Sequence, residues 1–228
     1  MSVLQRKAQV GKQEHQARAM TVPKAVRVGL AKVADEAFDM ALAVIGVTSE
    51  TTAAQEILAD VDDDILLLLL DGPKGTTGGM MIGSGLVSSL VQQQTTGRVS
   101  ATPPAARRMT ATDAALCAPL VDRLFARAHG LLDMPEDQAR FPPLKFGSRA
   151  ENKRLFELAL EAPEYTVFRL TVDIAAGVAQ SNAVLILPVP EATAAPPPVT
   201  GEAVDPVDAL VRATGFDAGL RIFAAGGY

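Results

Sequence analysis

The chain has 228 residues, a net charge of -5 and 48% hydrophobic residues, enough to bury a core without cross-links. Its single cysteine, Cys117, excludes an internal disulfide framework and a cysteine-rich zinc site, and points to a reducing, cytoplasmic setting. Mild acidity argues against nucleic acid as a main partner. No stretch approaches the roughly 18 uninterrupted apolar residues of a membrane-spanning helix, so any membrane association is expected to be peripheral.

Residues 1–22 read as a flexible basic arm: Arg6, Lys7, Lys12 and Arg18 face only Glu14, and no apolar stretch of the kind a secretory signal needs is present. Residues 35–71 hold no lysine or arginine at all. A basic arm beside an acidic stretch suggests docking to an acidic surface, such as one on a neighbouring subunit; a solvated tail is the plainer alternative. From Val22, the apolar positions Val26, Leu30, Val33, Ala34, Ala37, Phe38, Ala41, Leu42 and Ile45 recur every three or four residues. They predict one amphipathic helix with Pro23 in its first turn and Gly46 at its end. TSETTAAQEILADVDDD then reads as a connector with a turn of helix.

The run ILLLLL, residues 65–70, lies between acids and the turn sequence DGPKG, which favours a strand covered on both faces. Gly79 to Ile82 predict its hairpin partner, and Ser84 caps a short helix, LVSSLVQQQ, that ends before Gly97. A proline-bearing linker leads to MTATDAALCAPLVDRLFARAHGLL. There Thr110 and Asp113 stand at capping-box spacing, and Leu116, Cys117, Leu120, Val121, Leu124, Phe125 and Ala128 draw one helix face, with Pro119 expected to kink it or loosen its first turns. A loop around residues 135–143 precedes strands predicted at residues 144–147 and 154–160. YTVFRLTVDI and AVLILPVP predict two more strands, and residues 191–228 read as a proline-rich linker with a short helix-like piece, VDALVRATGF. The order helix, connector, strand, turn, strand occurs twice. The expectation is an α/β (α+β) domain over residues 23–190 with pseudo-two-fold symmetry, a mainly antiparallel sheet and two long helices packed on it.

Chemistry is sparse. His15 and His129 sit in no triad or metal pattern. Gly78, Gly79, Gly83 and Gly85 fall between a strand and a helix, but Ser88 stands where a dinucleotide loop needs its third glycine, and Gly83-Ser84-Gly85 is too tight for a nucleophile elbow. Those glycines are expected to serve tight turns and close strand–helix packing. Asp62, Asp63 and Asp64 lack the alternating pattern of a calcium loop and read as a strand-entry guard. Cys117 reads as core, and Gln92, Gln93 and Gln94 read as exposed. No catalytic set emerges, so no enzyme activity, metal or cofactor is expected.

The order of elements, carried by ILLLLLDG, GGMMIGSGLVSSLVQQQTTGRV, MTATDAALCAPLVDRLFARAHGLL, EYTVFRLTVDI and AVLILPVP, resembles the middle, CheC-like domain of FliM/FliN-type flagellar motor switch proteins over about residues 23–190. The resemblance implies a structural C-ring subunit, cytoplasmic at the flagellar basal body, that acts in flagellar assembly, motility and chemotactic switching. It implies side-by-side self-association through the long helices and FliG-like and FliN-like partners. It also places a FliG-contacting turn at Thr95, Thr96, Gly97 and Arg98, where only Gly97 matches the family's glycine-rich turn. The CheC phosphatase pairing of Glu with Asn three residues on is absent, since Glu36 is followed by Asp39, Asp113 by Leu116 and Asp122 by Phe125. Neither the acidic peptide that captures phosphorylated CheY nor room for a SpoA-type domain after Pro190 is found. An injectisome sorting-platform protein of the same superfamily is the alternative reading, and a CheC-like phosphatase a more distant one.

Overall fold

The computed structural model describes residues 19–58, 61, 64–102, 105 and 107–190; the basic residues 1–18, Asp62, Asp63 and residues 191–228 lie outside the described residues. Helix α1, Val22–Phe38, opens on Pro23 and buries Ala25, Val26, Gly29, Leu30, Val33 and Ala34 along one face. It ends seven residues earlier than its apolar periodicity predicts. Asp39 turns left-handed (φ 48°), its N–H bonds the Asp35 carbonyl at 3.0 Å, and Met40 N donates to the Ala34 carbonyl at 3.2 Å, closing the last turn.

Strand β1, Leu42–Thr52, comes next and replaces the expected helix end and the first residues of the connector, whose expected turn of helix follows at Ala54–Ile57. Leu42 and Val44 point inward while Ala43 is exposed and Ile45 is 52% exposed, the period of two that a strand imposes. A bulge between Val44 and Gly46 takes Ile45 out of register. The short helix α2, Ala54–Ile57, leads to β2, Leu66–Asp71, and a 3-10 turn at Pro73–Gly75 returns the chain as β3, Thr77–Ile82. Helix α3, Ser84–Thr96, is capped at its start by Gly83 and not by Ser84, whose hydroxyl donates instead to Asp64 Oδ2 at 2.8 Å.

Helix α4, Ala111–Leu131, opens with the expected capping box of Thr110 and Asp113 and runs unbroken through Pro119. Then come α5, Pro135–Arg140, β4, Lys145–Arg149, and α6, Lys153–Ala159. The last of these is a helix where a strand was expected. Asn152 Oδ1 accepts from Leu155 N at 2.9 Å and starts the turn, and Phe156 and Leu160 are buried four residues apart while Leu155 and Leu158 face outward. Strands β5, Tyr165–Ile174, and β6, Ala179–Pro188, complete the fold.

All pairings are antiparallel, and the six-stranded sheet has the order β1-β5-β6-β3-β2-β4. Exchange of the two halves, α1-β1-α2-β2-β3 for α4-β4-α6-β5-β6, reverses this order onto itself. The pseudo-two-fold axis therefore passes between β3 and β6. Alternate residues of β2 explain its aliphatic run. Leu66, Leu68 and Leu70 join the core under α1, α3 and α4, and Leu67 joins the opposite core under α2 and α6, with Leu69 packed against it. Gly78 and Gly79 lie inside β3 and not in a turn. A Cβ on Gly79 would come within 2.5 Å of Phe156 Cζ, so the close packing of α6 on the sheet requires glycine there.

Candidate protein-interaction surface

The turn Thr95-Thr96-Gly97-Arg98 is built by the end of α3. Gly97 closes the helix at φ 69° and donates its N–H to the Gln93 carbonyl at 3.0 Å, with nothing within 4 Å of a Cβ placed on it. Thr95 Oγ1 donates to the Val91 carbonyl (2.7 Å) and Thr96 Oγ1 to the Gln92 carbonyl (2.8 Å), so both hydroxyls fold back on the helix. All four residues are exposed, and Val99 just beyond them packs against the core.

The preceding glutamines read as exposed from the sequence; Gln94 is exposed and Gln92 and Gln93 are half-buried, and all three hydrogen-bond to neighbouring backbone. Gln92 Oε1 accepts from Ser100 N (2.8 Å), Gln93 Nε2 donates to the Asp39 carbonyl at the end of α1 (2.9 Å), and Gln94 Nε2 donates to the Leu116 carbonyl of α4 (3.2 Å). Each side chain ties the end of α3 to a different neighbour. The sequence signal was the run itself, three long amides on consecutive positions of one turn, which fan out over about 200° of helix and can reach three partners.

The other titratable groups singled out in the sequence have structural work. Glu36 pairs with Arg127 across α1 and α4, and Asp122 Oδ1 accepts from Phe146 N at 2.6 Å. Asp113 takes both Arg107 guanidinium nitrogens at 2.7 Å as well as the Thr110 N–H and hydroxyl, and these hydrogen bonds, led by the one from Arg107, hold its carboxyl well below the usual carboxylate range. Cys117 is buried, and burial first, with Asp113 nearby, pushes its thiol up to about 12. His129 Nδ1 meets the Phe141 carbonyl at 2.8 Å. Among the described residues, no group of three or more His, Cys, Asp or Glu could hold a metal ion, and no helix is long and apolar enough to cross a membrane.

No family model matches the sequence, and no curated protein does. Solved structures match by shape. The FliM middle domain from Vibrio alginolyticus superposes with a TM-score of 0.51 at 11% identity, over 73% of this chain and 93% of that one. A chain of the FliG–FliM complex from H. pylori gives 0.53 at 10% identity, over 74% and 89%. The FliM–SpeE complex from H. pylori gives 0.55 at 9% identity, over 74% and 84%. The fold is that of the FliM middle domain. Identities this low establish the FliM-type fold alone. Within that fold, Thr95 to Arg98 lie together on one exposed turn, presented by a helix whose end is bonded to α1, α4 and the segment after it.

Proposed function

We propose that the chain is a structural subunit of a flagellar motor switch, assembled on the cytoplasmic side of the basal body and working through protein contacts, not catalysis. The observation that carries this reading is the FliM-type fold over about three quarters of the chain, shared with a chain of a FliG–FliM complex. The domain that ends at Pro190, with Val22 as the first residue of α1 and Met20 packed on its core, is the unit that assembles; residues 1–18 precede it as an arm and residues 191–228 follow it as a linker segment. The turn Thr95-Thr96-Gly97-Arg98 contacts a FliG-like protein, and FliN-like subunits and further copies of the chain complete the ring. Support for a contact at this turn comes from its exposure and its three glutamine tethers, which hold the surface in one shape before any partner binds. Support for a non-catalytic role comes from Glu36, Asp113 and Asp122, whose carboxylates are engaged by Arg127, by Arg107 with Thr110, and by Phe146 N.

The direct test is capture of the FliG-like protein of the same organism by the purified full chain. The double variant Thr96→Ala/Arg98→Ala should weaken capture by about tenfold, equivalent to about 1.4 kcal/mol, with unfolding unchanged. Cells lacking the gene should fail to swim or to switch; normal swimming and switching would sink the reading.

A further inference from the structure

The back of the sheet carries a surface that the flagellar reading does not use. Between α2 and α6 runs a groove of about 340 Å³ bounded by Ala53, Ala54, Leu158, Leu160, Ala162 and Pro163, with Gln55, Glu157 and Glu161 also lining it. Leu158 is 67% exposed on its rim and Leu155, one turn away, is 47% exposed. Two leucines at this spacing on a seven-residue helix form an apolar ridge, with Leu158 on the groove and Leu155 just outside it. Among the described residues, neither the Glu157 nor the Glu161 carboxylate has an ion-pair or hydrogen-bond partner, and no lysine or arginine lines the groove. Glu56 on α2 is held by the Thr52 hydroxyl, and Lys153 at the far end of α6 bonds the Val61 carbonyl.

Residues 1–18 have the complementary chemistry. Val3 and Leu4 are followed, after Gln5, by Arg6 and Lys7, with Lys12 and Arg18 beyond and Glu14 as the lone acid. The point where this arm joins the fold also fits. Thr21 and Val22 line a common cleft with Ser49, Thr51 and Thr166, while Ala53 and Pro163, two and three residues away along the same segments of chain, line the groove. Two residues of extended chain cover about 7 Å, whereas the stretch from Ala19 back to Leu4 can span about 50 Å. The arm therefore reaches the groove with slack to spare.

We propose that the basic arm, residues 1–18, docks within its own chain into the groove between α2 and α6, with Val3 and Leu4 on the leucine ridge and Arg6 and Lys7 on Glu157 and Glu161. Docking within one chain needs little intrinsic affinity. An effective concentration of about 1 mM and a segment Kd between about 0.1 and 1 mM give occupancy from about one half to nine tenths. The flagellar reading is not needed for this, and its failure would leave the docking untouched.

The test uses the full chain with Gln55→Cys on the exposed groove rim, Cys117 being buried and unreactive as a background thiol. Labelling of that thiol by a bulky maleimide should be about two- to tenfold slower than in the same chain carrying Arg6→Glu/Lys7→Glu, and about 0.5 M NaCl should abolish the difference. Glu157→Gln/Glu161→Gln should speed labelling as the arm variant does. Swapping the charges, Glu157→Lys/Glu161→Lys together with Arg6→Glu/Lys7→Glu, should restore protection, which a merely disturbed fold would not. Equal rates in all variants overturn the proposal. Protection that grows with protein concentration also overturns it, since the arm would then come from a second copy.

Discussion

At the scale of single residues, the ion pair of Arg107 with Asp113 is the local centre on which α4 begins. Asp113 is 5% exposed and closes the capping box, so Asp113→Ala leaves the Thr110 N–H and hydroxyl without their acceptor, while the half-exposed Arg107 guanidinium turns to water; the expected cost is about 1–2 kcal/mol in urea unfolding. Because the folded carboxyl is held below its ordinary range, its contribution is complete above the unfolded carboxylate pKa near 4 and falls away as the pH drops below that value. The stability gap between the native chain and Asp113→Asn should therefore narrow between about pH 4 and pH 2. Cys117 gives a second reading of the same helix. Its thiol, raised to about 12, should resist Ellman's reagent at about pH 8 in the folded chain and react at once in denaturant. Appreciable reaction of the native protein would place Cys117 outside the core.

Among elements, the errors of sequence reading share one cause: alanine, valine and leucine serve helix and strand alike, and only a local backbone device decides between them. Periodicity carried α1 through Ile45, but the left-handed turn at Asp39 stops it, and aspartate is one of the few residues that tolerate that conformation. Likewise RLFELAL alternates well enough for a strand, yet the Asn152 cap commits it to α6. Where turn chemistry bounds an aliphatic run, as in ILLLLLDGPKG, or the residues alternate, as in YTVFRLTVDI, both the strand and its burial are legible. The placement of the candidate turn at the end of α3 was legible too, because Gly97 marks a helix end. Of its glutamine tethers only the run of three amides is visible in the sequence; the partners are not, since they lie across the fold on α1 and α4. The strand assignment of β1 is testable. Ile45→Thr should change stability by less than about 0.5 kcal/mol, and Val44→Thr should cost more than about 1 kcal/mol; the reverse ranking would restore the helix.

For the whole molecule, the symmetry of the sheet matters more than any one contact. Strand β1 pairs with β5 and β4 pairs with β2, so each half lends its first strand to the hairpin of the other. Neither half owns a complete sheet. Fragments cut in the segment between α3 and α4 should each lack cooperative structure by circular dichroism, whereas the two mixed should regain the native spectrum and unfold in one transition. Helical and sheet signal retained by one fragment alone would contradict this. The same reciprocity has a consequence for assembly. A half does not distinguish the complementary half of its own chain from that of another, because the surfaces are identical. Shortening the α3–α4 connection until it cannot close should therefore yield chains that exchange halves, as a closed dimer or an open string, with every strand pairing preserved. Connector length thus sets whether this fold is a monomer or a link.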